Sequence, residues 1–502
     1  MNFIKNIIIT GILCLSFSGI KAQNIHDVQR YSGMHFQGDA RAMAVGNAFG
    51  ALGANALSSS INPAGLALYP ISNFTFTLGY AKATTDANYL GNDFTEDKFN
   101  LNISSMAWSI TEDKTENEID RTGWYNSTFT ISANRRNNFS QNFLFQGVNT
   151  ETTVLDRFAE DMERVWFNDL PIDSTSYGGM AYYTHLIDPI YDGDNVVGFT
   201  PAIEDNAAVN MQQRQSMRTR GAITDLNFSY AGNYGNFFMI GATLGVPILN
   251  YVENGTFQEN NLDFATDNYN SMSLRHRMHD QGLGIFGQLG IIFKPVHALR
   301  IGASIRTPTF YSIDREFKVW WNSDADTRQS NIEPSGYDYN YNLTTPFVGN
   351  LSAAFVIKNF GFVSADYSYI DGSKATLTDP VESSDGFDYF EENNEIQNGL
   401  AAMHQFRLGA EFVFGPFALR AGQTVTTSAY NEGYMPDNNM YFTTTTSAGI
   451  GYREAKFFLD VGYQIGNRET WFQPYGLSYM DVEGANLQEN LGILNMTIGF
   501  NF

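Results

Sequence analysis

Apolar and polar residues alternate with a period of two along much of this chain. Phe74, Phe76, Leu78 and Tyr80 are separated by Thr75, Thr77 and Gly79, and the same beat returns from Phe406 to Phe414 and from Phe457 to Ile465. That period belongs to strands with one oily face and one polar face. Beyond the first residues no stretch reaches the roughly 18 apolar residues of a helical membrane span. With 40 Phe and 27 Tyr among 502 residues and only 17% charged residues, the composition is that of a β-barrel whose outer face meets lipid.

The start of the chain reads as an export signal. Lys5 precedes an apolar run from about Ile7 to Ile20, and Lys21-Ala22-Gln23 offers a small-residue cleavage point, so residues 1–22 are expected to be a signal peptide. The one cysteine, Cys14, lies inside it behind Leu13, where a lipoprotein signal needs a small residue, so thiol chemistry is not expected in the mature chain. The net charge is −23, and loss of Lys5 and Lys21 makes it more negative still. Such an excess of acid disfavours nucleic acid and anionic phospholipid as partners.

Alternating runs fall near 72–81, 98–111, 124–136, 219–231, 236–251, 277–294, 298–318, 345–358, 360–372, 403–415, 417–428, 440–453, 455–467 and 490–502. Their number, fourteen, is even, as a closed bacterial barrel requires. The connections alternate in length. "GNYG", "KPVHA", "KNFG", "GP" and "REAK" follow even strands, while 137–218, 252–276, 319–344, 373–402, 429–439 and 468–489 mostly follow odd ones as long loops. Tight periplasmic turns and long extracellular loops are the expected pattern. The longest loop, 137–218, contains "VLDRFAEDMERVW", whose Leu155, Phe158, Met162 and Val165 predict a short amphipathic helix.

Strand parity assigns faces. With Leu299, Ile301, Ala303 and Ile305 toward lipid, Arg300, Gly302, Ser304 and Arg306 point inward, because an Arg on the lipid face near the midplane costs about 2–4 kcal/mol. The same rule turns Arg407, Glu411, Arg420, Asp366 and Asp460 into the lumen. These charges are read either as a structural network or as a receptor for a substrate carboxylate, with Arg306 first and Arg300 and Arg420 beside it. No catalytic, cofactor or metal site is expected. His276 and His279 near Asp280 begin a strand, and "YDGDN" (Tyr191–Asn195), though rich in oxygen ligands, reads as a turn.

"GDARAMAVGNAFGALGANALSSSINPAGLALYPISNFTFTLGY" resembles the N-terminal plug and first strand of the FadL/TodX family of outer-membrane transporters for fatty acids and hydrophobic compounds. "QGLGIFGQLGIIFKPVHALRIGASIRTPTF" and "TTPFVGNLSAAFVIKNFGFVSADYSYIDGSKA" are similar to its middle strands, and the insert 137–218 departs from the pattern. The resemblance implies an all-β fold: a fourteen-stranded barrel over 72–502, occluded by a hatch over 23–71. It also implies capture of a hydrophobic small molecule among the loops, an internal pocket, and lateral release at a kinked third strand. By the same resemblance Asn62, Pro63 and Ala64 carry a gating role near that kink, and alternation in "WYNSTFTISANRR" fails around Ala133-Asn134.

A barrel of this width cannot be filled by its own side chains, and the small and polar residues of 23–71 suit a plug. Expected partners are the hydrophobic substrate, outer-membrane lipid, and the barrel-assembly machinery through the last strand, which ends in Phe502. A monomeric, non-enzymatic protein of a Gram-negative outer membrane is the reading. A surface adhesive or structural barrel, or a diffusion porin, is the alternative.

Overall fold

The computed structural model describes residues 25–167, 172, 176–203, 209–263, 269–325, 328–380, 389–434 and 442–502. The expected signal peptide lies outside the described residues.

Fourteen antiparallel crossings close a barrel. In chain order they are β1 (Asn73–Tyr89), β2 (Asn92–Asp113), β3 (Trp124–Asn138) continued by β4 (Gln141–Asn149), then, after a separate hairpin β5 (Ile187–Asp192) and β6 (Asn195–Pro201), β7 (Met211–Tyr234), β8 (Phe238–Asn261) and β9 (Tyr269–Val296). Two bipartite crossings follow, β10 (Leu299–Arg306) with β11 (Phe310–Ala325), and β12 (Arg328–Thr344) with β13 (Val348–Ile357). The circuit ends with β14 (Gly361–Asp371), the short β15 (Thr376–Thr378), β16 (Ala402–Phe414), β17 (Phe417–Thr426), β18 (Thr443–Arg453), β19 (Phe457–Phe472) and β20 (Ala485–Asn501). β20 pairs with β1 from Asn73↔Asn501 to Asn88↔Asn486 and closes the ring.

The faces follow the parity rule through the lower barrel. Ile301 and Ile305 are exposed while Gly302, Ser304 and Arg306 are buried, and Arg407, Glu411, Arg420, Asp366 and Asp460 are all buried inside. Both bipartite crossings break at proline, at Thr307-Pro308-Thr309 and Thr345-Pro346-Phe347, which face each other in the wall. Proline has no N–H to give to a ladder.

The strands run further than the oily alternation predicts. The first connection is the turn at Leu90-Gly91 and not a loop over 82–97, because β1 and β2 stay paired from Asn73↔Ser109 to Tyr89↔Asn92. Likewise β8 and β9 project as a hairpin through most of 252–276, and β11 and β12 through most of 319–344. In these projections the phase inverts: Phe257, Leu274, Val319 and Trp321 are buried inside, and Arg275 faces out. Above the lipid band the outer face meets water and the inner face packs a loop core.

That core includes α5 (Val154–Phe167), the helix expected within the longest loop, and α6 (Tyr177–Tyr183). Phe158 lies 5.1 Å from the ring of Trp321. "YDGDN" forms the turn of the β5–β6 hairpin. A short helix, α4 (Glu116–Thr122), sits between β2 and β3 with a capping box from Thr115 and Glu118.

The N-terminal segment occupies the lumen with α1 (Ile25–Ser32), α2 (Ala40–Ala44), α3 (Ser58–Ile61) and a 3-10 turn over Pro63–Leu68. Glycine permits its close turns: Gly53 has φ +68, and a Cβ there would lie 2.5 Å from the Gly65 carbonyl. Its backbone groups are satisfied by the wall. Ala40 N–H donates to Thr497 Oγ1 (2.8 Å), Gly46 N–H to Ser447 Oγ (3.0 Å), and Gly50 N–H to Asp366 Oδ2 (2.8 Å). Arg41 forks onto both oxygens of Glu411 at 2.9 Å, and Arg420 links Glu411 (2.6 Å) to Asp460 (2.7 Å).

Candidate functional site

Above the lumenal segment lies a chamber of about 650 Å³. Its floor is α1, with His26 and Arg30, and Gly33 just after it, and Tyr177 of α6 meets it from the loop core. Met217, Phe257, Leu274, Phe317, Trp471 and Leu487 give the wall much of its apolar surface. Arg30 is held by Asp27 at 2.5 Å and packs its guanidinium 4.3 Å from the Tyr251 ring centroid. His26 Nδ1 lies 2.7 Å from the Tyr430 hydroxyl, and burial together with the neighbouring Arg30 pushes its imidazole down to about 4. Arg315 bonds Asp280 and Asp27 at the chamber edge, and Arg468 shares Glu489.

Part of the chamber's wall is irregular, from Asn137 to Gln141, where β3 passes into β4. Here the barrel is not fully laddered. β2 and β3 pair only from Ser105↔Asn134 to Asp113↔Asn126, whereas β2 above Ser105 pairs with β1 alone. The register of β3 on β7 shifts between Arg135 and Asn137, and β4 keeps β7 as its partner while turning inward. Phe145 of β4 then packs 4.7 Å from the Tyr89 ring. Across the resulting seam only side chains reach. Asn138 Nδ2 donates to Asn100 Oδ1 at 3.4 Å, and Arg135 Nε to the Ile103 carbonyl at 3.4 Å.

On the outer side, directly below the seam, an apolar groove of about 370 Å³ is lined by Phe74, Met106, Trp108, Ile131, Ala133 and Leu226. Asn134 stands at the end of the ladder. It accepts from Ser105 Oγ (2.7 Å) and donates to Ser59 and Ser60 of the lumenal segment at 3.0 and 2.9 Å. The inward parity of Ser132, Asn134 and Arg136 persists through Ala133-Asn134, and the shift comes just after, at Arg135–Asn137.

Asn62, Pro63 and Ala64 lie against β8 and β9. Asn62 Nδ2 donates to the carbonyls of Gly50 (2.7 Å) and Ile291 (3.1 Å), and its Oδ1 accepts from Ala64 N–H (3.2 Å). Only glycine fits opposite: a Cβ at Gly241 would lie 2.5 Å from the Pro63 carbonyl carbon. The residues of the lumenal segment that touch the third crossing at the seam are the serines preceding the turn, on Asn134, together with Gln37, whose N–H donates to the Arg135 carbonyl (3.1 Å), and His35 and Arg30, which bond Asn137.

The three arginines singled out by parity do not converge. Arg306, 2% exposed, bonds Asp225 at 3.0 Å and lies 3.3 Å over Phe286. Arg300 donates to the Leu52 carbonyl, and Arg420 belongs to the Glu411–Asp460 network. None of the three lines the chamber, whereas Arg30, Arg315 and Arg468 do. Arg468 was within reach of parity, since it shares a face with Asp460 on β19. Arg315 was not, because the break at Pro308 shifts the phase between β10 and β11.

The whole arrangement defines a class: a fourteen-crossing barrel filled by its own N-terminal segment, with a chamber above and an incomplete wall beside it. No protein-family profile and no curated protein matches the chain. Among solved structures, a Pseudomonas aeruginosa FadL homologue is similar with a TM-score of 0.54 and 12% identity, covering 94% of this chain and 100% of that one. The P. putida toluene transporter TodX gives 0.52 and 11%, covering 94% and 99%. The chain has the fold of these FadL-like proteins.

Proposed function

We propose that the protein carries hydrophobic small molecules, long-chain fatty acids or aromatic hydrocarbons, across a Gram-negative outer membrane and does no catalysis on them. Cargo is captured among the loops, held in the chamber, and released sideways through the seam between β2 and β3. The observation that carries this reading is the contact of the chamber with a stretch of wall where the β2–β3 ladder ends, next to an apolar groove on the lipid side. Unpaired backbone within hydrocarbon costs several kcal/mol per group, so an open seam there calls for a use. A lateral path keeps the cargo out of water, which costs about 25 cal/mol per Å² of apolar surface.

In this reading the segment 23–71 is a hatch that plugs the pore, and its bonds to the wall all round favour a transporter over a diffusion porin. The turn Asn62-Pro63-Ala64 gates by fixing the hatch against β8 and β9, so that Ser59 and Ser60 are held on Asn134. Arg306, Arg300 and Arg420 seat the hatch and wall, and any carboxylate on the cargo meets Arg30 or Arg468. The protein acts as a monomer, inserted by the barrel-assembly machinery through β20 and Phe502.

The test is uptake in a deletion strain carrying the gene or an empty vector, with labelled long-chain fatty acid, toluene and a hydrophilic sugar of similar size. Restored entry of either hydrophobic compound but not of the sugar is expected. Equal entry of the sugar would make the protein a porin, and no entry of any of them would favour a structural or adhesive barrel.

A further inference from the structure

The chain carries 53 acidic residues, yet among the described residues the outward positions of three adjacent strands in its extracellular wall hold none. Above the apolar band, the outward positions are Gln212, Arg214, Ser216, Arg218 and Arg220 on β7, and Asn250, Val252, Asn254, Thr256, Gln258 and Asn260 on β8. On β9 they are Ser273, Arg275, Arg277, His279 and Gln281. The acids of β8, Glu253 and Glu259, point inward. Three adjacent strands thus present five arginines outward with no carboxylate among them.

Register aligns these cations. Arg218 is opposite Asn254, Asn254 is opposite Arg277, and Arg277 is opposite Lys318 on β11. Strands about 4.8 Å apart place the ends of this row roughly 14 Å from each other. β11 borders the row with outward carboxylates, Asp314 beside Gln281 and Glu316 beside His279 (4.0 Å), and Glu316 pairs with Lys318; Arg275 packs 4.2 Å from the Trp320 ring centroid. Among the described residues Arg214, Arg218 and Arg220 have no ion-pair partner, and the buried Nε of Arg277 has no hydrogen-bond partner.

The row stands directly over the lipid-facing Leu283 and Ile285 of β9 and Leu244 and Ile248 of β8. Only Gln281 and His279 separate Leu283 from Arg277 on that face. With about 3.3 Å per residue in strands tilted about 40°, the guanidinium groups lie roughly 15 Å above the apolar edge, and their long stems reach back toward it. That is the layer of sugars and phosphates in a glycolipid leaflet.

We propose that the outer face of β7–β9 binds the phosphate groups of an anionic outer-leaflet glycolipid through Arg218, Arg220 and Arg277, with Arg214 and Arg275 at its margins. Guanidinium groups match phosphate oxygens in fork geometry. The acyl chains of the same lipid lie on Leu244, Ile248, Leu283 and Ile285. The net charge of the whole chain opposes such a partner, and the segregation of the arginines onto this one face reverses that locally. The proposal rests on the outer-membrane placement given above but not on the cargo or the seam.

The test uses the purified full barrel in detergent, with phosphorylated lipopolysaccharide and the same material after chemical dephosphorylation as probes. The R218S/R220S/R277S variant is expected to lose about a hundredfold in affinity for the phosphorylated probe, at about fivefold per arginine near an anionic surface, with dephosphorylated probe bound weakly by both proteins. Heat-modifiable migration reports folding. Should the triple variant not fold, R218S and R277S singly are expected to lose about fivefold each. Unchanged affinity in the folded variants, or equal binding of dephosphorylated probe by the unsubstituted protein, overturns the proposal. Uptake of cargo is measured in parallel, so failure here leaves the transport reading separately judged.

Discussion

Glu411 joins the lumenal segment to the wall through two arginines, with Arg41 on one side and Arg420 on the other. Its replacement by Gln removes the shared anion, so that Arg41 loses its carboxylate and Arg420 keeps only Asp460, a loss of up to about 3–5 kcal/mol for a broken buried pair. The expected result for Glu411→Gln is a lower unfolding temperature and larger, noisier single-channel conductance. The chamber cations give a second prediction at this scale. Arg468→Ala should weaken binding of a fatty acid more than of the matching alcohol, whereas Arg306→Ala, which leaves the buried Asp225 with Arg136 alone, should weaken both alike; equilibrium binding of the two ligands distinguishes the cases. Parity made Arg306, Arg300, Arg420, Glu411 and Asp460 legible as lumenal residues, because lipid tolerates no charge at those depths. It could not say which of them meet the chamber. That depends on where the hatch sits, which the register of no single strand encodes, and for Arg315 on the phase change at Pro308.

At the scale of elements, alternation found the lipid-spanning half of each crossing and missed the projecting half. The reason is the inversion seen at Arg275 outside and Leu274 inside: a search for oily outward faces ends where the lipid ends. The helix α5 was legible because its apolar positions follow helical spacing whatever surrounds it. Its packing partner Trp321 was not, since it lies in a stretch that reads as loop. Trp321→Ala empties the centre of that loop core, at a cost of about 3–5 kcal/mol. Limited proteolysis should then cut within residues 154–203 while heat-modifiable migration of the barrel is retained.

For the molecule as a whole, the count of fourteen crossings, the even-numbered tight turns and the lumenal segment were all readable from the chain. The seam was only implied by resemblance: alternation fails around Ala133-Asn134, just before the shift at Arg135–Asn137, but a failing alternation does not say which neighbouring ladder is missing. Two consequences belong to this scale. Deletion of residues 25–68 should convert a low, flickering conductance into a large steady one, and a large conductance from the intact chain would contradict the plug. The central claim, release through the seam, is tested by closing it. Asn100→Cys and Asn138→Cys place one thiol on each side of the gap in a chain whose only cysteine lies in the expected signal peptide. Joined by a cleavable bifunctional thiol reagent, the double variant should take up labelled hydrophobic cargo at the empty-vector rate, bind it in the chamber as before, and regain uptake on reduction. Uptake by the joined protein at the rate of the unjoined one would contradict lateral release.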